Sequence, residues 1–355
     1  MAKKVYKPNP LLDILLPILF TSLAAFVIRN LYIEGRYFWT LVAMTIIVTV
    51  LVLSVEYCLR IFGRWLSRTW LSDEHHGDPL SHNLALKKFV DQGWQLVYHS
   101  IFSFWEYLLL RKYNWFEGER LFFSVSEEEI TPDSIKYLFI SQIALWLFQA
   151  YRHVFVNQRK KDYYELFVHH IATLSLCYVA YDRYYHLGLL ILFLHDFSDI
   201  LIDTLKLLNL CKISGSEDYF ILETEYVLTC AVWSYERLYL LPYLFLQKGL
   251  AVCWKLYSNV PRIEMLKAEW IFFAQIACLI VLYILHWYWF ILLLRIGLRA
   301  FVTERENIRQ VTKEGYEGAS DTESENEEDE DEDEEKKKKK KKKSQSSGKK
   351  HKKSE

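Results

Sequence analysis

The sequence predicts an all-α polytopic membrane protein with about eight transmembrane helices, followed by a polar tail. Three observations support this prediction. The chain has 355 residues, of which 52% are hydrophobic and 16% aromatic. Its apolar residues form long runs, whereas a soluble domain of this size does not need such runs to build a core. After about residue 302 the composition changes, and the remaining residues are almost wholly polar.

The predicted spans follow from length and hydropathy, since a span needs about 20 mostly apolar residues. Segments that meet or approach this requirement are 11–28, 38–55, 95–110, 136–156, 163–184, 187–208, 219–246 and 270–294. The last of them is the clearest, because His286 is its only potentially charged residue. The segment 95–110 is the weakest, because His99 and Glu106 interrupt it. Seven spans is therefore the alternative count.

The orientation follows from the positive charges, because Lys and Arg are enriched on the cytosolic side of a membrane protein. Basic clusters precede the first predicted span and follow the second, fourth, sixth and eighth. Their members are Lys3, Lys4, Lys7, Arg60, Arg64, Arg68, Arg152, Arg159, Lys160, Lys161, Lys206, Lys212, Arg295 and Arg299. With eight spans, all of them and both termini lie on the cytosolic side. Arg111, Lys112 and Lys255 on the other side weaken the bias.

The tail, residues 303–355, is predicted to be disordered and cytosolic, because it lacks the apolar side chains that offset the entropy of ordering. An acidic run at 321–335 precedes a lysine-rich run, and the net charge of the chain is -1. This balance does not indicate nucleic-acid binding. Lys352 and Lys353 stand fourth and third from the end. That position resembles the dilysine retrieval signal of endoplasmic reticulum membrane proteins.

Candidate functional residues are charged groups inside spans, because such groups are costly there. His169 and His170 lie about six residues into the fifth predicted span, roughly 9 Å from its cytosolic end. Asp199 lies roughly 10 Å from the cytosolic end of the sixth span, and His195 one turn deeper. A short connection makes these two spans antiparallel neighbours. The sequence therefore predicts that the histidines and aspartates meet at a similar depth.

The spacing in the sixth span sharpens this prediction. Asp196, Asp199 and Asp203 are three and four residues apart and share one helix face, as do His195 and Asp199. Three carboxylates cannot face lipid, so this face must line a polar cavity or pair internally. The structural alternative is a buried network, with Asp203 paired to Lys206 at the helix end. A purely structural role is predicted for the isolated histidines, which are His99, His153, His186 and His286.

Other kinds of site are less compatible with the sequence. The six cysteines show no CxxC or Cys/His metal spacing, so neither a disulfide framework nor a cysteine-based zinc site is predicted. The HxxxH and HxxHH patterns of membrane di-iron oxygenases are missing. One zinc ion held by His169, His195 and Asp199 is geometrically possible, but no metal is predicted. A proton-coupled transporter would be expected to show internal repeats, and the sequence has none.

Two motifs resemble those of a known family. RKKDYYELFVHHIAT at 159–173 contains the double histidine, and LHDFSDILIDTLK at 194–206 contains an HDxSD signature. Together they resemble the longevity-assurance-type ceramide synthases of the TLC-domain superfamily, over about residues 130–300. ERLYLLP at 236–242 and the aromatic last span also fit. Asp203 stands where the family has Glu, and no homeobox-like insertion separates the second and third spans.

The resemblance implies a six-helix TLC bundle around a central cavity, preceded by two N-terminal spans. The implied domains are 1–94 with two spans and a linker, 95–302 with the catalytic bundle, and the tail. The implied activity is that of a sphingosine N-acyltransferase of the endoplasmic reticulum membrane, with acyl-CoA as co-substrate and no other cofactor. The expected partners are a sphingoid base, fatty acyl-CoA, membrane lipids and, in a homo- or hetero-oligomer, further chains. The alternative is a non-enzymatic TLC-domain protein that senses lipids or accompanies the translocon.

The same resemblance suggests roles for individual residues. His169 or His170 is the expected base, oriented by Asp199, with His195 and Asp196 completing the catalytic site. In a second hypothesis one of the two histidines is the nucleophile that carries the acyl group. Basic residues at the cytosolic mouth are expected either to bind the phosphates of CoA or only to anchor the span on its cytosolic side. They are Arg159, Lys160 and Lys161.

Overall fold

The computed structural model describes residues 9–69, 79–113, 132–157, 159, 162–182, 185–211, 221–251, 254, 258–259, 261–264 and 270–302. All regular secondary structure in this part of the chain is helical, which confirms the all-α prediction. The α-helices in order are α1 (Pro10–Glu34), α2 (Phe38–Thr69), α3 (Pro79–Lys112), α4 (Asp133–Tyr151), α5 (Tyr163–Asp182), α6 (Tyr185–Leu210), α7 (Ile221–Trp233) and α8 (Trp270–Val302). Three π-helices extend α4 and α7, at Arg152–Val156, Ser234–Leu240 and Tyr243–Gly249.

Three of the described helices are long and apolar enough to cross a membrane. They are Pro10–Glu34, Phe38–Leu66 and Phe273–Leu298. The helices between α2 and α8 carry polar groups that lower their mean hydropathy. These groups are buried inside the bundle, as for Glu106 at 0% and Gln142 at 1% exposure. Hydropathy alone thus identifies the helices that face lipid more readily than those that surround the core.

Helix α1 lies parallel to α5 and is tied to it at both ends. Near the start of α5, the Arg159 guanidinium is 2.7 Å from Asp13. Near its other end, the Tyr181 hydroxyl donates a hydrogen bond of 2.9 Å to Glu34. Asp13 also accepts a hydrogen bond of 3.1 Å from Tyr164 in the first turn of α5, so the contacts join the first turns and the last turns of the two helices. The two helices therefore run in the same direction.

Helix α2 runs parallel to α4 in the same manner. The Tyr37 hydroxyl donates to Asp133 at 2.6 Å, at the start of both helices. One helix length further on, Arg152 is 2.6 Å from Glu56. Burial and the hydrogen bond to Asp133 raise the pKa of Tyr37 to about 12. The phenol therefore keeps its proton and remains a donor at neutral pH.

Helix α3 runs antiparallel to α4 and α6. Tyr113 at its end lies 3.1 Å from Ser134 at the start of α4. His99, which precedes Tyr113 by four turns, bonds Asp203 near the end of α6 at 2.7 Å. Consecutive helices thus alternate in direction, and α2, α4 and α6 all end at the same end of the bundle. Among the basic residues predicted to lie at this end, Lys160, Lys161 and Lys212 lie outside the described residues.

Helices α5 and α6 pack closely at Gly188. A Cβ atom at this position would stand 2.2 Å from the Cβ of Ala180 and 3.2 Å from Cζ of Phe139. The Ala180 methyl group has no rotamer that would relieve this contact, so only a shift of the helix backbone could make room. The absence of a side chain at Gly188 therefore allows the two helices to approach each other.

We expect Gly188→Ala to destabilise the protein by about 1–3 kcal/mol, because the added methyl group must separate α5 from α6. The measurement is the midpoint of thermal unfolding in detergent. The matched control is the exchange variant Ala180→Gly/Gly188→Ala, which should recover most of the loss. A Gly188→Ala midpoint equal to that of the wild type would contradict the close packing described here.

Candidate active site

A cavity lies between α4, α5, α6 and α8. The space between these helices, counted together with its open mouth, is about 510 Å³. It extends along α5 from His169 to Ala180, a rise of about 16 Å for eleven helical residues. Its lining is mostly apolar and includes Phe139, Leu176, Cys177, Ala180, Gly188, Ile191, Leu192 and Leu282. Polar groups are concentrated at the His169 end.

Four of the five predicted catalytic residues line this cavity, namely His169, His195, Asp196 and Asp199. The antiparallel pairing of α5 and α6 brings them to one depth, as the spacing predicts. The fifth, His170, is not among the lining residues. Its ring packs against His153 at 5.0 Å and Trp146 at 5.6 Å between centroids.

His169 is held by aromatic packing. Trp146 and Trp289 each meet its ring edge to face, with 5.5 Å between ring centroids. Its Nδ1 atom is buried and has no hydrogen-bond partner among the described residues. The imidazole is therefore fixed in orientation and still has a ring nitrogen that no protein group in this part of the chain engages.

The sequence predicted that Asp199 orients His169 or His170, but among the described residues its carboxylate faces Arg237 and His99 instead. Its carboxylate is 2.5 Å from Nη2 of Arg237 and 3.7 Å from Nε2 of His99. Within the described residues no hydrogen bond joins it to α5. The physical reason is the guanidinium, which carries a full charge and several donors and binds a carboxylate more strongly than a neutral imidazole.

Asp203 is also paired differently from the expectation. It is 2% exposed and bonds Nδ1 of His99 at 2.7 Å. Among the described residues it makes no ion pair with Lys206, because its side chain points inward toward α3. His99, for which the sequence predicted a structural role, lies between two carboxylates of α6.

His195 contacts the last helix. Its Nδ1 lies 2.6 Å from the Ile191 carbonyl, and its Nε2 lies 3.1 Å from Nε2 of His286. A carbonyl oxygen only accepts, so Nδ1 of His195 carries the proton in the neutral ring. Nε2 then accepts the hydrogen bond from His286. His286 is thus a direct neighbour of the cavity wall, although the sequence predicted only a structural role for it.

A second polar network lies behind Asp196. The Gln142 amide nitrogen donates to Glu106 at 3.0 Å and to Asp196 at 3.1 Å. Trp146 donates in turn to the Gln142 amide oxygen at 3.2 Å. One amide therefore links carboxyl groups from α3 and α6. The orientation of Asp196 depends on this bridge.

Of the remaining predicted residues, Arg159 lies at the end of the bundle where α5 begins. Arg159 is paired with Asp13 and is 39% exposed. Lys160 and Lys161, for which the same phosphate-binding role was predicted, lie outside the described residues. The described part of the chain contains no group of three His, Cys, Asp or Glu residues arranged to hold a metal ion.

Sequence analysis missed the contributions of Arg237, Glu106 and Gln142. The one available signal was a charged residue inside a predicted span, a position that favours a functional role. Glu106 was noted only as an interruption of its span, and Arg237 only as part of a motif. Arg237 is 38 positions from Asp199, and Gln142 is 54 positions from Asp196. Local spacing carries no information about such pairs.

Taken together, the fold and the cavity define a polytopic α-helical membrane protein with a histidine–carboxylate site enclosed by its helices. A comparison with known protein families agrees with this description. The family model named TLC domain, for TRAM, LAG1 and CLN8 proteins, matches residues 88–295. The chain therefore belongs to the TLC-domain family. The matched region contains most of α3 and continues into α8, so it includes all the lining residues of the cavity.

Individual relatives are similar at 26–28% identity. The chain is 28% identical over 254 residues to sphingosine N-acyltransferase lac1 of Schizosaccharomyces pombe, which covers 67% of the chain and 62% of the relative. It is 27% identical over 212 residues to ceramide synthase 1 of Mus musculus, at 56% and 60% coverage. It is 26% identical over 253 residues to ceramide synthase 1 LOH3 of Arabidopsis thaliana, at 69% and 79%. The chain thus spans about 60% of the length of the first two.

Proposed function

We propose that this protein is a ceramide synthase, an N-acyltransferase that transfers the acyl group of acyl-CoA to the amine of a sphingoid base. One observation carries the proposal. His169 lines an apolar cavity of the TLC bundle, with a buried Nδ1 that makes no hydrogen bond to the described residues. The names of the relatives supply the substrate class.

The residue types suit this reaction. The amine nitrogen attacks the thioester carbonyl carbon, an amide bond forms, the carbon–sulfur bond breaks and CoA leaves as its thiol. The amine must first lose a proton, and a neutral imidazole is a suitable acceptor near neutral pH. The apolar wall from His169 toward Ala180 matches a hydrocarbon chain, while the polar His169 end matches the thioester and amine.

His169 is the residue to which we assign the chemistry, in one of two roles. As a base it takes the ammonium proton while the amine attacks acyl-CoA directly. As a nucleophile it accepts the acyl group from acyl-CoA, releases CoA, and then transfers the group to the amine. Incubation with acyl-CoA alone separates the roles, because only the nucleophile yields an acylated protein and one equivalent of CoA.

We also propose the remaining features on which this function depends. The eight helical segments cross the endoplasmic reticulum membrane eight times, with the C-terminal tail in the cytosol. CoA stays at the cytosolic end, where Arg159, Lys160 and Lys161 would meet its phosphates. The thioester then enters the bundle to the depth of His169. Membrane lipids surround the bundle, and further chains would join it in an oligomer.

The test is an acyl-transfer assay on the purified full chain with sphinganine and a series of saturated acyl-CoA chain lengths. We expect ceramide and free CoA in equal amounts with at least one chain length. The control omits sphinganine and should give no ceramide. No ceramide with any chain length from a well-folded protein would overturn the proposal.

A further inference from the structure

Arg237 is a buried cation that the reaction as proposed does not use. It lies in the π-helix Ser234–Leu240 and is 2% exposed. Its Nε donates to the Ser198 hydroxyl at 2.7 Å, and its Nη2 donates to the His195 carbonyl at 2.8 Å. Nη2 is also 2.5 Å from Asp199. One guanidinium thus binds one full turn of α6, the turn that faces the cavity.

The same guanidinium is fixed from the other side. Its Cζ lies 4.0 Å from the centre of the Trp233 ring, a stacking arrangement in which arginine is favoured. The Trp233 indole nitrogen donates to the His286 carbonyl at 3.3 Å. His286 in turn bonds His195. These contacts form a closed ring. It joins α6, the end of α7 with the π-helix Ser234–Leu240, and α8.

This ring holds two of the α6 residues that border the cavity, His195 and Asp199. His195 is held at its carbonyl by Arg237 and at its ring by His286. Asp199 is held at one oxygen by Arg237 and faces His99 with the other. Removal of the guanidinium would take from the His195 carbonyl its donor outside α6, leaving the Ser198 hydroxyl, and would take from the Asp199 carboxylate its counter-charge. Neither has another charged donor of this strength among the described residues.

We propose that Arg237 is a positioning residue, which sets the orientation of His195 and Asp199 at the cavity without itself touching the substrates. This inference rests on the proposed acyl transfer. The π-helix then has a structural role, because this segment of the chain places the guanidinium against the face of α6. Lysine cannot replace it, since one ammonium cannot reproduce the planar arrangement of Nε and Nη2 donors.

The test compares Arg237→Gln and Arg237→Lys with wild type in steady-state acyl transfer by the full chain. We expect kcat to fall about 100-fold for Gln and by an intermediate factor for Lys, with KM for sphinganine and acyl-CoA nearly unchanged. A general loss of structure would instead lower the active fraction and the thermal midpoint together. Arg36→Gln is the matched control, because Arg36 pairs with Asp133 at 3.2 Å on the surface.

Ser198→Ala provides a milder variant. It deletes the acceptor of the Nε hydrogen bond together with the bonds that the hydroxyl donates to the Leu194 and His195 carbonyls of its own helix. We expect a smaller loss of kcat with the thermal midpoint almost retained, even if Arg237→Gln does not fold. Unchanged kcat in Ser198→Ala and in folded Arg237→Lys would overturn the inference. So would a rise in KM alone, which would assign Arg237 to substrate binding. Failure of the wild type to form ceramide would instead refute the proposed function.

Discussion

Replacement of His169 by alanine is expected to lower kcat for ceramide formation by about 100- to 10,000-fold. The imidazole is the one ring of the double histidine that lines the cavity, and aromatic packing holds it there. Its loss removes the acceptor for the ammonium proton or the carrier of the acyl group. The measurement is initial ceramide formation by purified protein at saturating sphinganine and acyl-CoA, with the thermal midpoint recorded in parallel.

Two neighbouring substitutions control this result. Val168 is 40% exposed, so Val168→Ala makes a similar truncation on the outer face of α5 and should keep full activity. His170→Ala should cost less activity than His169→Ala, because the His170 ring packs against His153 and Trp146. If His170→Ala were the more damaging of the two in folded protein, the assignment of the chemistry to His169 would be wrong.

The position of the site was predictable because its main features are local. The double histidine and the aspartates of α6 lie on helices joined by a short connection, so similar depth follows from counting residues. The choice between His169 and His170 was not predictable. Adjacent residues of a helix point about 100° apart, and which direction faces the cavity depends on packing by Trp146, Trp289 and His153.

The partners of the aspartates were not predictable for a different reason. The sequence suggested Asp203 with Lys206 and Asp199 with the double histidine, because these residues lie close along the chain or at equal depth. The structure pairs them with His99 and Arg237, from helices on either side of α6. A π-helix adds to the difficulty, since it changes the rotation per residue and moves Arg237 away from the face that an α-helical count assigns.

The helix count was also only partly accessible from hydropathy. Hydropathy identifies α1, α2 and α8 as spans because lipid-facing side chains cover them. In α3 to α7, part of each helix carries polar side chains that make buried contacts. Glu106, Gln142 and Arg237 each lower the hydropathy of a helix that nevertheless packs in the bundle. The groups that weaken the signal for a span are thus the groups that build the site.

Asp199→Asn is expected to destabilise the protein by about 3 kcal/mol and to abolish most of the acyl transfer. The carboxylate neutralises Arg237, whose side chain is 3% exposed, and a buried cation without its counter-charge is costly. Activity falls because the turn of α6 that borders the cavity loses its fixed orientation. The measurements are the thermal midpoint in detergent and kcat on the same preparation.

The exposed ion pair between Arg36 and Asp133 offers a matched control for this prediction. Arg36 and Asp133 are 68% and 52% exposed, so Asp133→Asn should change stability by less than about 1 kcal/mol. The double variant Asp199→Asn/Arg237→Met removes the uncompensated charge and should recover part of the lost stability without recovering activity. Recovery of both would show that Arg237 and Asp199 only balance each other's charge. An Asp199→Asn midpoint equal to that of Asp133→Asn would contradict the burial of Arg237 on which the argument depends.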